Sequence, residues 1–145
     1  MRDAHVHVRP ARSDDRDLIW PLTLEFATSF GPERREFDSA YASLLGRPDT
    51  FMAVAELASA DIVGYTLASS HLTLFANGPV AWVEELMVSP DWRRGGMGAS
   101  LMQAAEQWAV EQGATYVALA TRRAADFYRA IGYSESATFF RKVLD

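Results

Sequence analysis

Residues 5–9 alternate, with Val6 and Val8 separated by polar side chains, and that period of two predicts a first strand. The period then lengthens. Leu18, Ile19, Leu22 and Phe26 recur at helical spacing behind Ser13 and Asp14, both good N-cap residues. Pro21 falls inside that run and must start or kink the helix, because it has no N–H to donate. A second helix follows, with Pro32 in its first turn, Phe37, Tyr41, Leu44 and Leu45 on one face, and Gly46 as its stop. Residues 51–57 and 62–71 predict two strands with a short connection, Asn77-Gly78-Pro79 a turn, and residues 80–88 the next strand. From Gly98 the spacing is helical again, through Leu101, Met102, Ala105, Trp108 and Ala109 to a stop at Gly113. Residues 115–119 predict a short buried strand. Ala124, Phe127, Tyr128 and Ile131 mark another amphipathic helix closed by Gly132, and residues 138–144 predict a last strand.

The predicted order is β-α-α-β-β-β-α-β-α-β, an α/β chain with a mixed, mostly antiparallel sheet flanked by helices. No repeat, linker or low-complexity stretch divides it, so residues 1–145 are expected to form a single domain. Apolar residues make up 49% of the chain and charged ones 23%, the balance of a soluble globular protein. No run is long enough to span a membrane, and Met1-Arg2-Asp3-Ala4-His5 has no apolar secretory core, so a cytoplasmic location is expected. There is no cysteine, hence no disulfide, no thiolate nucleophile and no Cys-ligated metal. The formal net charge of −5 argues against a nucleic-acid partner.

Within this acidic chain one basic segment stands out: Val88-Ser89-Pro90-Asp91-Trp92-Arg93-Arg94-Gly95-Gly96-Met97-Gly98-Ala99. Three glycines in four positions sit where a strand hands over to a helix. Free N–H groups and the positive end of the helix dipole favour an anion there. Arg93 and Arg94 add charge, and a pyrophosphate is the natural ligand. A P-loop needs Lys after its glycines, and none follows. The dinucleotide fingerprint needs a third small residue where Leu101 stands. What remains is [QR]-x-x-G-x-[GA], filled by Arg93, Gly96 and Gly98.

That segment resembles the acyl-CoA-binding turn of the GNAT-type N-acetyltransferase superfamily, and the element order matches that architecture over essentially the whole chain. Ala124-Ala125-Asp126-Phe127-Tyr128-Arg129-Ala130-Ile131-Gly132-Tyr133 resembles the family's A-x-x-F-Y-x-x-x-G-[FY] helix. The family often has Asn seven residues before the tyrosine; here Thr121 takes that place, a departure at an implied cofactor contact. The resemblance implies acetyl-CoA as co-substrate, no metal, a small-molecule amine acceptor and a homodimer. It places the cofactor against Leu86, Met87, Val88, Arg93, Arg94, Gly95, Gly96, Met97, Gly98, Ala99 and Thr121. A bulky residue at Gly96 or Gly98 is expected to intrude on the pyrophosphate.

Acyl transfer to an amine needs a base, because alkyl ammonium groups have pKa values near ~10. Glu84 has the spacing from Val88 that the resemblance to polyamine acetyltransferases gives the base, acting directly or through water. Period-two alternation sends Glu84 and Glu85 to opposite faces unless a bulge intervenes, and Glu85 is the reserve. Tyr128 is, by resemblance, the acid for the CoA thiolate; by periodicity alone it is a core tyrosine. A strand-end carboxylate or a core ring explains either residue without chemistry. His5 and His7 share a strand face, but without Cys or a carboxylate motif they predict no zinc site. Ser69-Ser70-His71 lacks the G-x-S-x-G elbow of a nucleophile.

The expected activity is N-acetylation of a primary amine in a ternary complex. A cationic acceptor is suggested by the acidic balance and by Glu25, Glu33, Glu36 and Asp38 on or beside the first two helices. The competing readings are a module that binds acyl-CoA without catalysis, and an acyltransferase acting on a hydroxyl or a protein N-terminus.

Overall fold

A computed structural model describes residues 6–144, so His5 and the start of the first predicted strand lie outside the described residues. The elements are β1 (His7–Pro10), α1 (Arg16–Phe26), α2 (Arg34–Leu45), β2 (Thr50–Glu56), β3 (Ile62–Leu72), β4 (Pro79–Val88), α3 (Met97–Glu111), β5 (Val117–Leu119) and α4 (Ala125–Ala130). The sheet order is β1-β2-β3-β4-β5. The first four strands pair antiparallel, β1 with β2 across the two-helix segment and β2, β3 and β4 through short connections, whereas β5 lies parallel to β4 because α3 carries the chain back across the sheet.

Each face of the sheet has its own core. On one, Ile19, Leu22 and Tyr41 from the first two helices pack onto Met52, Val54, Tyr65 and Met87. On the other, α3 lays Leu101, Met102, Ala105 and Trp108 against Ala53, Ala55, Ala68, Val83 and Val88. Two covered faces explain why β2 and β3 read as nearly continuous apolar runs.

The ends depart from expectation in four places. Pro21 lies inside α1, five residues beyond its start at Arg16. The second helix begins at Arg34, so Pro32 precedes it rather than filling its first turn. Arg9, a polar position of the first predicted strand, is the buried residue of β1. Its guanidinium meets Asp15 in two 2.8 Å hydrogen bonds and Glu56 in two more, at 3.0 and 3.2 Å. The Arg9 hydrogen bonds hold the Asp15 carboxyl below its ordinary range.

The fourth departure is the predicted last strand. Residues 138–144 form no ladder among the described residues. Side chains anchor the segment instead: Phe139 stacks on Trp82 at 6.2 Å, and Arg141 bonds Ser29 at 3.2 Å and lies over the Phe30 ring. The apolar side chains of the segment, Phe139, Phe140, Val143 and Leu144, are all exposed, so its β-prone composition is met neither by a ladder nor by a packed face.

Candidate active site

One extra residue in β4 makes the site. Leu67 pairs with Glu85 and the next residue, Ala68, pairs with Val83, so Glu84 has no partner on β3 and forms a β-bulge. The bulge cancels the alternation that would have separated the two glutamates. Val83 packs against α3, Met87 packs against α1 and α2, and Glu84 and Glu85 line one cavity of about 390 Å³. Leu44 and Leu67 give that cavity apolar wall, while Arg47 and Asp49 come from the connection after α2. Arg47 is bound to Asp49 at 3.1 Å, so the two glutamates leave the cavity anionic.

The two carboxylates differ in environment. Glu84 is exposed and accepts one hydrogen bond from Ser69 Oγ at 3.0 Å. Glu85 is half-buried and accepts from the Tyr65 hydroxyl at 2.6 Å; that hydroxyl in turn accepts from Thr23 Oγ1 at 3.2 Å. Burial pushes the Glu85 carboxyl up, the Tyr65 phenol pulls it down, and the neighbouring Glu84 charge pushes it up again. The acidic residues expected from the helices do not line this cavity. Asp38 is instead paired with Arg34 at 2.7 Å, and Arg34 also holds Asp17.

Beyond Val83 the sheet opens. The parallel pairing of β4 with β5 covers only Ala81, Trp82 and Val83. Leu86, Met87 and Val88 keep their partners on β3 but have none on the other side. Ser89 donates its N–H to Val63 at 2.7 Å, and alternation turns the Met87 N–H the same way. The N–H groups of Leu86 and Val88 therefore face the opening, and the Met87 N–H does not. An extended amide-bearing arm can add itself there as a strand.

The glycine turn lies past the end of β4. Arg94 and Gly96 both adopt left-handed backbone, at φ +68° and +85°, and no atom lies within 4 Å of where a Cβ at Gly96 would stand. Gly96 caps α3, and the first N–H groups of that helix, at Met97, Gly98 and Ala99, precede its intrahelical bonds. This open, N–H-rich concavity fits a pyrophosphate. Gly98 serves a different need from the one expected: a Cβ there would meet the Phe127 ring at 3.1 Å, so it permits α3 to pack on α4. Arg93 is a brace, donating from Nε to the Val88 carbonyl at 3.0 Å; Gly95 and the Arg94 side chain are exposed.

Tyr128 lies in α4, partly buried, edge-on to Phe127 at 4.9 Å and to Tyr133 at 5.8 Å. Its hydroxyl has no hydrogen-bond partner among the described residues, and burial pushes the phenol up to about 12. Thr121 accepts the Ala124 N–H at 3.1 Å, in the turn that leads into α4. Tyr65, Thr23, Arg47 and Asp49 were not among the residues singled out from sequence, and no motif marks them.

The model of the Acetyltransferase (GNAT) family matches residues 16–133. The chain belongs to the GNAT acetyltransferase family. An aminoglycoside N(6')-acetyltransferase type 1 from Acinetobacter genomosp. 13 is 32% identical over 133 residues, spanning 88% of this chain and 86% of that one. Two solved structures share the GNAT fold. Glucosamine-6-phosphate N-acetyltransferase from Arabidopsis thaliana superposes with a TM-score of 0.85 at 17% identity, covering 97% of this chain and 99% of that one. Aminoglycoside N-acetyltransferase AAC(6')-Iy in complex with CoA gives 0.84 at 20% identity, with 97% of each chain covered. Among the described residues no helix is long and apolar enough to cross a membrane.

Proposed function

We propose that this GNAT protein is an acetyl-CoA-dependent N-acetyltransferase whose acceptor is a small primary amine with further positive charge. The observation that carries the reading is the bulge, which puts two carboxylates on one cavity wall next to the free N–H groups of β4. The 32% identical aminoglycoside acetyltransferase supports a polycationic amine as acceptor class.

When bound, acetyl-CoA supplies the thioester carbonyl that the amine attacks. The residues of this chain do the rest. Glu84, exposed and held by Ser69, takes the proton from the ammonium directly or through water and frees the lone pair. The N–H of Leu86 or Val88 donates to the carbonyl oxygen as negative charge develops on it. Met97, Gly98 and Ala99 offer N–H groups to the pyrophosphate, with Arg94 adding charge. Tyr128 donates a hydrogen bond toward the leaving sulfur. A phenol at about 12 stands well above a thiol near ~8.5, so its role is to stabilise the thiolate rather than to surrender the proton completely.

The reading is tested by following release of free CoA thiol with a dye across polyamines, aminoglycosides, neutral aryl amines and amino acids at low and moderate salt. Polycationic amines should be preferred, and the preference should weaken with salt. Thioester binding without turnover on any amine would make the chain a binding module; preference for neutral acceptors would remove the charge argument.

Two substitutions dissect the cofactor side. Tyr128→Phe keeps the ring contacts with Phe127 and Tyr133, so the melting temperature should hold while turnover falls roughly 10²-fold. Unchanged turnover would leave Tyr128 a packing residue. Gly96→Val places a side chain in the open cradle and forces a β-branched residue to positive φ. Calorimetric titration should show acetyl-CoA affinity reduced by about tenfold or more, because the side chain fills the cradle; the positive φ adds a separate cost of about 1–3 kcal/mol to folding stability. Wild-type affinity would place the pyrophosphate elsewhere.

A further inference from the structure

Glu85 has a support that acyl transfer at Glu84 does not require. Tyr65 is 2% exposed, and a buried phenol needs a partner for its hydroxyl. Its O–H points to Glu85 Oε1 at 2.6 Å, the short range of bonds to a charged acceptor. Thr23 of α1 donates to the same hydroxyl, which fixes the direction of the phenol proton toward the carboxylate. Three elements, α1, β3 and β4, thus converge on one side chain.

The charged groups around Glu85 are Glu84 on its own strand and the Arg47–Asp49 pair across the cavity; from α1 it is faced by the neutral Thr23. No cation pairs with Glu85 among the described residues, although it is half-buried. A half-buried carboxylate without a countercharge inside a ligand-sized cavity is a place for a cation to arrive.

We propose that Tyr65, backed by Thr23, is a positioning residue that fixes Glu85 as a second anionic subsite, receiving an ammonium of the acceptor other than the one acetylated. This rests on the acceptor-cavity reading above and deepens it: the preferred acceptor carries at least two amines, one at Glu84 and one at Glu85. The sign of the pH effect follows from the geometry. Without the phenol's hydrogen bond the Glu85 carboxyl binds its proton at higher pH, and the subsite is then neutral over part of the range where the wild type is charged.

The test compares kcat/KM against pH for an alkyl diamine and for the monoamine of the same chain length, in wild type, Tyr65→Phe, Thr23→Val and Glu85→Gln, with melting temperatures to establish folding. For the diamine, Tyr65→Phe should move the acid limb up by about one pH unit and raise KM roughly tenfold there, with recovery at higher pH. Thr23→Val should move it the same way by less. Glu85→Gln should abolish the preference for the diamine at every pH, and in all three variants kcat/KM for the diamine should fall by about tenfold more than kcat/KM for the monoamine. Equal treatment of the two amines by wild type and variants, or an unmoved acid limb in Tyr65→Phe, would overturn the second subsite while leaving Glu84 as base. A wild-type enzyme that acetylates neither amine would overturn both.

Discussion

Glu84→Gln is expected to lower kcat/KM for an amine acceptor by about 10²–10⁴-fold, the range over which a positioned base acts. The substitution is nearly isosteric and leaves the bulge intact, because the bulge is a property of the backbone pairing between Leu67–Ala68 and Val83–Glu85. Glu84 is exposed and its one hydrogen bond, from Ser69, can be accepted by the glutamine carbonyl. The melting temperature and the acetyl-CoA affinity should therefore stay at wild-type values, and the loss should appear in kcat. An amide cannot accept the ammonium proton, so activity should climb only at alkaline pH, as free amine becomes available in solution. A variant that keeps wild-type kcat near neutral pH would shift the base to Glu85 or to solvent.

The second large effect is on stability. Asp15→Ala should cost about 3 kcal/mol at neutral pH, because it leaves the buried Arg9 guanidinium with only part of its counter-charge and strips the Arg12 N–H of its acceptor. The sign with pH follows from the shift. The Asp15 carboxyl titrates lower in the folded protein than in the unfolded chain, so the unfolded chain takes up its proton first as pH falls. The contribution is complete above the unfolded value near ~3.9 and is lost as pH drops through the folded one. Glu56 is shifted the same way by Arg9 and adds to that slope. Urea denaturation at neutral, mildly acidic and strongly acidic pH should show the variant and wild type converging toward the acid end. A gap that stays constant would mean that Asp15 stabilises by packing rather than by charge.

Much of this protein can be read from its residues. Helical spacing located α1, α3 and α4, and the glycines located the turn between β4 and α3, because each signal is local. The bulge left a trace as well: apolar residues facing α3 recur at Ala81 and Val83, then at Leu86 and Val88, a slip of one residue across 84–85. A strict period of two separates the two glutamates unless a bulge intervenes, and the bulge that does so brings them to one face. Arg9 was illegible for another reason. A buried charge looks like any polar strand residue until its partners arrive, and Asp15 and Glu56 are brought to it by the turn before α1 and by β2. Residues 138–144 have the composition of a strand, yet Phe139 and Arg141 make only side-chain contacts to Trp82 and Ser29, and the segment forms no ladder among the described residues. Tyr65 needed the register of β3 on β4 before its reach to Glu85 could be known.

The bulge also sets what kinds of change this site tolerates. Deleting one residue between Val83 and Leu86 would complete a regular ladder from Pro79 to the end of β4, at no loss of pairing. It would leave one carboxylate where two now stand. Leu86, Met87 and Val88 would keep Thr66, Tyr65 and Gly64 as partners, and with them the faces they turn to the two cores. Drift by substitution can retune the cavity gradually, but a one-residue deletion in this strand removes a carboxylate in a single step while leaving the fold intact. Insertions and deletions should therefore accumulate between β3 and β4, around Asn77, and be absent from residues 83–86. The chemistry is stored there as a count of residues as much as in their identity.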